Sequence, residues 1–112
     1  MVQGTTQIYG VIGDPISHSL SPSLHNPAFA ALGIDAVYVT FRVSPSSLED
    51  ALRGLLALNV QGINVTVPHK SEVFQYVDEV TDTARRIGAI NTLRNDSGHW
   101  IGENIDATGF IR

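Results

Sequence analysis

Apolar and polar positions along the chain fall into short blocks whose period switches between two and about 3.6, the pattern of strands alternating with helices. Gln7 to Gly13 is an apolar run closed by Gly13-Asp14-Pro15, which predicts a buried strand meeting a turn. Ser21-Pro22 offers a helix cap followed by proline, and an alanine-rich stretch runs on to Leu32 before Gly33 stops it. From Ala36 to Val43, the residues Val37, Val39 and Phe41 alternate with Tyr38, Thr40 and Arg42, the period of a second strand. Ser44-Pro45 repeats the cap-plus-proline start, and Leu48, Ala51, Leu52, Leu55 and Leu56 then share one helical face.

Gly62 to Val67, β-branched and ended by Pro68, predicts a third strand, with a short helix from Lys70 to Val77 after it. Thr81 to Ile87 predicts another helix, closed by Gly88. Ala89 to Arg94 and His99 to Glu103 flank Asn95-Asp96-Ser97-Gly98, which predicts a β-hairpin, and a last helix is expected from Ile105 to Arg112. Strands separated by helices imply right-handed βαβ units. The expected fold is therefore α/β, three layers α/β/α around a mainly parallel sheet, with the hairpin as an antiparallel edge. A chain of 112 residues fits one domain spanning 1–112, and it contains no internal repeat or low-complexity tract.

Composition narrows the function classes. A hydrophobic content of 43% with 16% charged residues is that of a soluble globular chain, and no apolar run is long enough to cross a bilayer. The start, Met1 to Thr6, lacks the basic and apolar regions of a secretory signal, so a cytoplasmic protein is expected. The absence of cysteine excludes disulfides, thiolate nucleophiles and cysteine-based zinc sites. His18, His25, His69 and His99 have no short metal-ligand spacing and read as loop or surface residues, with no metal. A net charge of −4 argues against nucleic-acid binding. No Gly-x-Gly-x-x-Gly or Walker-type loop occurs, and Trp100 is expected to pack on the hairpin.

In open α/β sheets, ligands bind beyond the carboxyl ends of the strands, and three segments there carry chemistry. The first, Asp14 to Pro22, sets Ser17, Ser19 and Ser21 ahead of a helix N-terminus, where hydroxyls and unpaired N–H groups suit a carboxylate or phosphate; equally, Ser21 caps the helix and Ser19 closes a turn. In the second, Asn64 and Thr66 are two apart on a strand, so both point to one face, and Pro68 fixes the turn that launches Lys70. A helix start after it would bring a positive dipole end near that ammonium; otherwise Lys70 is an exposed, inert lysine. The third holds Asn91-Thr92 and Asn104-Ile105-Asp106, where Asp106 either caps a helix or pairs with Lys70 as acid and base.

Four of these motifs, in this order, resemble the N-terminal domain of the shikimate dehydrogenase family over essentially the whole chain. They are Pro15-Ile16-Ser17-His18-Ser19-Leu20-Ser21-Pro22 followed by His25-Asn26, Asn64-Val65-Thr66-Val67-Pro68-His69-Lys70, Gly88-Ala89-Ile90-Asn91-Thr92, and Asn104-Ile105-Asp106 with Gly109-Phe110. The resemblance implies that Ser19 and Ser21 hold a substrate carboxylate, that Asn64, Thr66, Asn91 and Asp106 contact ring hydroxyls, and that Lys70 and Asp106 form the catalytic pair. It implies an oxidoreductase of aromatic amino acid and chorismate biosynthesis, reducing 3-dehydroshikimate to shikimate with NADPH. The NADP is bound mainly by a C-terminal domain absent from this chain, so the chain by itself is expected to be inactive; Asp82 is the one residue here expected at the cofactor. The partners implied are the small-molecule substrate and, as an allowed assembly, a homodimer.

Members of the family usually read Asn-Thr-Asp-Gly where this chain has Asn104-Ile105-Asp106-Ala107. A quinate or dual quinate/shikimate dehydrogenase would use the same motifs, and a non-catalytic binding or assembly module is the alternative from another class. Methylenetetrahydrofolate dehydrogenase fits less well, because Thr66 stands where a Tyr-x-x-x-Lys pattern needs tyrosine.

Overall fold

The computed structural model describes residues 2–16 and 21–105, with nothing drawn from the side chain of Ser21. Ser19, Asp106 and the last helix expected toward Arg112 lie outside the described residues. Six strands form one sheet: β1 (Gln7–Gly13), β2 (Ala36–Arg42), β3 (Gly62–Val65), β4 (Glu79–Val80), β5 (Thr92–Asp96) and β6 (His99–Glu103). The helices are α1 (Ser21–Ala31), α2 (Leu48–Ala57) and α3 (Asp82–Ile87), with 3₁₀ segments at Pro45–Ser47 and Glu72–Tyr76.

The sheet order is β2-β1-β3-β5-β6-β4. Parallel pairing joins β1 to β2 and β3, as βαβ units require, while β5 runs antiparallel to both β3 and β6. The expected hairpin forms, but it is seated inside the sheet. Two-residue β4 lies parallel to β6 as the outermost strand on that side, and so short a strand leaves no periodicity to read.

Each face of the sheet has its own core. Ile12, Ile63, Val65 and Leu93 point to the side covered by α2, where Leu48, Leu52 and Leu55 supply the buried stripe and Trp100 fills the space beside them. Trp100 is 2% exposed, and its indole N–H donates to the Leu52 carbonyl at 3.0 Å, so hairpin and helix are joined by packing and by a hydrogen bond. On the opposite face Val11, Ile16, Phe29 and Tyr38 form a smaller cluster with α1.

Local signals end the elements where expected. Thr81 caps α3 by accepting from the Ala84 N–H, and Gly88 closes it in the left-handed conformation at φ 79°. Ser97 and Gly98, at φ 54° and 88°, make the tight turn of the hairpin, and the Asn95 side chain accepts from the Gly98 N–H at 2.9 Å.

Two expectations are corrected. The segment after Lys70 forms the five-residue 3₁₀ helix Glu72–Tyr76 and not a helix starting at Lys70, so no α-helical dipole is aimed at that side chain. Two histidines read as loop or surface residues are buried: His69 is 0% exposed, its Nε2 at 2.6 Å from the Val43 carbonyl, and His25, on the inner face of α1, is stacked on Tyr38. Their burial comes from contacts 26 and 13 positions away in sequence (69 − 43 and 38 − 25), which local pattern does not report.

Candidate active site

The topology brings one set of chain ends together. β1, β2 and β3 are parallel, so Gly13, Arg42 and Val65 end at the same edge of the sheet; β5, being antiparallel, begins there at Thr92, and β6 finishes there at Glu103. The segments following β1 and β3, preceding β5 and leaving β6 therefore share a rim, the place where open α/β sheets bind ligands.

Main-chain hydrogen bonds lock these segments to one another. Thr66 N–H donates to the Ile12 carbonyl at 3.0 Å and Asp14 N–H to the Val67 carbonyl at 3.2 Å, tying the ends of β1 and β3 together. Ile90 N–H donates to the Lys70 carbonyl at 3.0 Å, and Val65 N–H to the Asn91 carbonyl at 2.8 Å. Lys70 thus has a fixed backbone and an exposed side chain. Behind it, buried His69 anchors the loop to the end of β2 through Val43; its Nδ1 has no hydrogen-bond partner among the described residues.

Asn64 and Thr66 share a face, as their spacing requires. Val11 is the register partner of Asn64, and Gly13, two residues on, faces the same way. A side chain at Gly13 would run into the Thr66 hydroxyl, so glycine is what allows Thr66 to sit over β1. That hydroxyl donates to the Ile12 carbonyl at 3.0 Å, which leaves its lone pairs to meet a ligand.

Asn91 holds the segment that leads to Asp106. Its Nδ2 donates to the Ile105 carbonyl at 2.7 Å, and its Oδ1 accepts from the Ile105 N–H at 3.0 Å. The Asn104 side chain in turn donates to the Ala89 carbonyl at 2.9 Å. Asn91 is therefore engaged with main chain as well as being a candidate ligand residue. Asp82 is exposed in the first turn of α3; because β4 runs parallel to β6, α3 starts on the same rim.

The structure thus gathers Asn64, Thr66, Lys70, Asn91 and, further along, Asp82 at one edge of the sheet, while Ser21 opens α1. No group of three or more His, Cys, Asp or Glu among the described residues could hold a metal ion. The residues that sequence reasoning missed are Tyr38, Asn26 and His25. Asn26 bonds both main-chain groups of Tyr38, at 2.7 and 2.9 Å, His25 stacks on its ring at 4.4 Å, and the Tyr38 hydroxyl donates to Asn64 Oδ1 at 2.6 Å. The pair His25-Asn26 was the one available signal, since it belongs to the motif following the serines.

Polar side chains gathered at the carboxyl ends of parallel strands, one lysine among them, are the arrangement that open α/β domains present to small molecules. Residues 11–93 match the family model described as the shikimate dehydrogenase substrate binding domain, and the chain belongs to that family. It is 50% identical to the shikimate dehydrogenase (NADP(+)) of Methanothermobacter thermautotrophicus over the whole chain, and 52% identical over 106 residues to that of Bacillus cytotoxicus. The chain spans 40% and 38% of the length of these two relatives. Among solved structures, Listeria monocytogenes shikimate 5-dehydrogenase in complex with shikimate and NAD superposes with a TM-score of 0.91 at 43% identity, covering 99% of this chain and 38% of that one. The ligand-free 5-ketofructose reductase of a Gluconobacter strain superposes at 0.90 with 30% identity, covering 97% of this chain and 39% of that one. Among the described residues no helix is long and apolar enough to cross a membrane.

Proposed function

We propose that this chain is the substrate-binding and proton-handling part of an NADP-dependent shikimate dehydrogenase, which interconverts 3-dehydroshikimate and shikimate. The observation that carries this reading is the convergence of Asn64, Thr66, Lys70 and Asn91 on one sheet edge in a chain of this family. The Listeria relative with shikimate bound supports the choice of ligand.

In this reading Ser19 and Ser21 hold the carboxylate of the acid, and Asn64, Thr66, Asn91 and Asp106 meet its ring hydroxyls. Thr66 acts as an acceptor, because its own proton is engaged by the Ile12 carbonyl. Lys70 and Asp106 form the catalytic pair, binding the reacting oxygen and moving its proton as the carbonyl and alcohol forms interconvert. The nicotinamide, when bound, donates or accepts the hydride at the adjacent ring carbon. No glycine-rich phosphate cradle occurs in the 112 residues, so this chain's contribution to the nucleotide is limited to the rim, where Asp82 stands.

Titration of the protein with shikimate, followed by amide chemical shifts, tests the assignment, together with nicotinamide-linked turnover of the intact protein. Saturable binding that perturbs Asn64, Thr66, Lys70 and Asn91 is expected, with quinate weaker. No binding of shikimate would overturn it. The 5-ketofructose reductase relative supports a second reading, a sugar-derived polyhydroxy ketone as substrate, and preferential turnover of 5-ketofructose would establish that one instead.

A further inference from the structure

Tyr38 lies on β2, two strands away from Asn64 on β3, and its ring passes over β1 to reach it. It is 1% exposed, under α1, where a tyrosine hydroxyl needs a partner. The bond to Asn64 is the first link of a chain of side-chain hydrogen bonds crossing the sheet. Asn64 Nδ2 donates to Thr92 Oγ1 at 3.4 Å, Thr92 Oγ1 donates to Asn91 Oδ1 at 2.9 Å, and Asn91 brackets the main chain of Ile105.

The direction of every link follows from the last. A main-chain N–H only donates and a main-chain carbonyl only accepts, so Ile105 determines which end of the Asn91 carboxamide is oxygen. An oxygen there makes the Thr92 hydroxyl a donor, and its lone pairs then face the Asn64 amide. The nitrogen of Asn64 must be the atom turned toward Thr92, and its oxygen the atom turned toward Tyr38. The Tyr38 O–H supplies the donor that this oxygen requires.

We propose that Tyr38 is a positioning residue that holds the Asn64 carboxamide with its N–H group available to the ligand, so that Asn64 reads a hydroxyl oxygen as a donor. The proposal rests on the shikimate-binding reading of the same rim. Without the phenol hydroxyl the short bond at Oδ1 is gone and the long 3.4 Å link to Thr92 is left to favour the same orientation, so the carboxamide is held weakly and also populates the flipped orientation, which presents oxygen. His25 and Asn26 explain why Tyr38 itself does not move: one stacks on the ring and the other pins its backbone.

The test is a double-mutant cycle on shikimate binding with Tyr38→Phe and Asn64→Ala, in the protein otherwise intact. Tyr38→Phe is expected to weaken shikimate binding by about tenfold, the factor for one good hydrogen bond. In the Asn64→Ala background the same substitution should have no further effect on binding, while any loss of thermal stability persists in both. Equal weakening in both backgrounds, or none in either, would overturn the proposal, since a purely structural tyrosine acts independently of Asn64. A ligand-free measurement separates this from the functional reading: nuclear Overhauser effects from the Asn64 side-chain NH₂ should reach Thr92 in the native protein and fade in Tyr38→Phe. If shikimate does not bind at all, the functional reading fails and those effects decide the amide orientation by themselves. Absence of the Asn64 to Thr92 effect in the native protein also overturns it.

Discussion

The Asn91 carboxamide grips Ile105 by both of its main-chain groups, 2.7 Å from the carbonyl and 3.0 Å from the amide nitrogen. A side chain that imitates a strand partner in this way sets the path of the chain one residue ahead of Asp106. Asn91→Ala leaves both groups of Ile105 without that partner and is expected to cost about 1–3 kcal/mol of stability. Misplacing the following carboxylate should also lower kcat/KM by about a hundredfold. Denaturant unfolding and steady-state kinetics of the intact, cofactor-binding enzyme measure the two effects; stability lost with kinetics unchanged would show that neither the clasp nor Asn91 itself serves the reaction.

Lys70 has a fixed backbone and an exposed side chain, so its replacement should separate chemistry from folding. In the intact enzyme that also binds the nicotinamide cofactor, Lys70→Ala is expected to reduce kcat by about 10²–10⁴-fold, the usual range for a lost proton-transfer group, with an unfolding midpoint close to that of the parent. An unchanged kcat would remove the catalytic role.

Gly13 gives a test of close approach. In Gly13→Ala the new methyl group meets the Thr66 hydroxyl, with Ile16 Cδ1 at 3.1 Å and the Val67 carbonyl at 3.2 Å leaving little room beside it. Overpacking of this kind typically costs about 1–3 kcal/mol. Adding Thr66→Ala should restore part of the stability and none of the shikimate affinity, which unfolding curves and calorimetry on the double variant would show. Recovery of affinity would mean that Thr66 does not meet the ligand.

Burial pushes the pKa of His25 below its ordinary value of 6.5, so the unfolded chain takes up the proton first as pH falls. The stability contributed by neutral His25 is full above that ordinary value and declines as pH drops from it toward the lowered folded value. Unfolding free energy measured from about pH 7.5 to about pH 5 should therefore fall, with a smaller slope in His25→Phe. Identical slopes would assign the acid sensitivity to other groups.

Trp100 connects the hairpin to α2 through its bond to Leu52. Trp100→Phe should cost about 1–3 kcal/mol, largely from the unpaired Leu52 carbonyl, and Trp100→Ala about 3–5 kcal/mol. Chemical denaturation is the measurement, and a tryptophan removed at no cost would contradict the packing described.

How far the sequence could be read follows from the range of each signal. The β1, β2 and β3 strands and α2 carry their own periodicity, and Gly88 and the Ser97-Gly98 turn need φ values that local chemistry announces. The convergence of Asn64, Thr66 and Lys70 was legible because they sit within seven positions, 64 to 70, of one strand and its exit. Tyr38 was not legible as a site-supporting residue. Its alternation places it with Thr40 and Arg42, and only the arrival of α1 on that face makes its position an interior one. The same holds for His69, and for β4, whose two residues acquire a strand identity only from β6 beside them.

The clasp between Asn91 and residue 105 has a further implication for sequence drift. It uses only atoms that every amino acid except proline possesses, so it is indifferent to which side chain position 105 carries. The isoleucine found there, in place of the threonine usual at that position, is thus a neutral exchange as far as the rim's wiring is concerned. Proline is the one substitution barred outright, and the side chain at position 105 can accordingly change in shape or polarity without rebuilding the support that Asn91 gives its main chain.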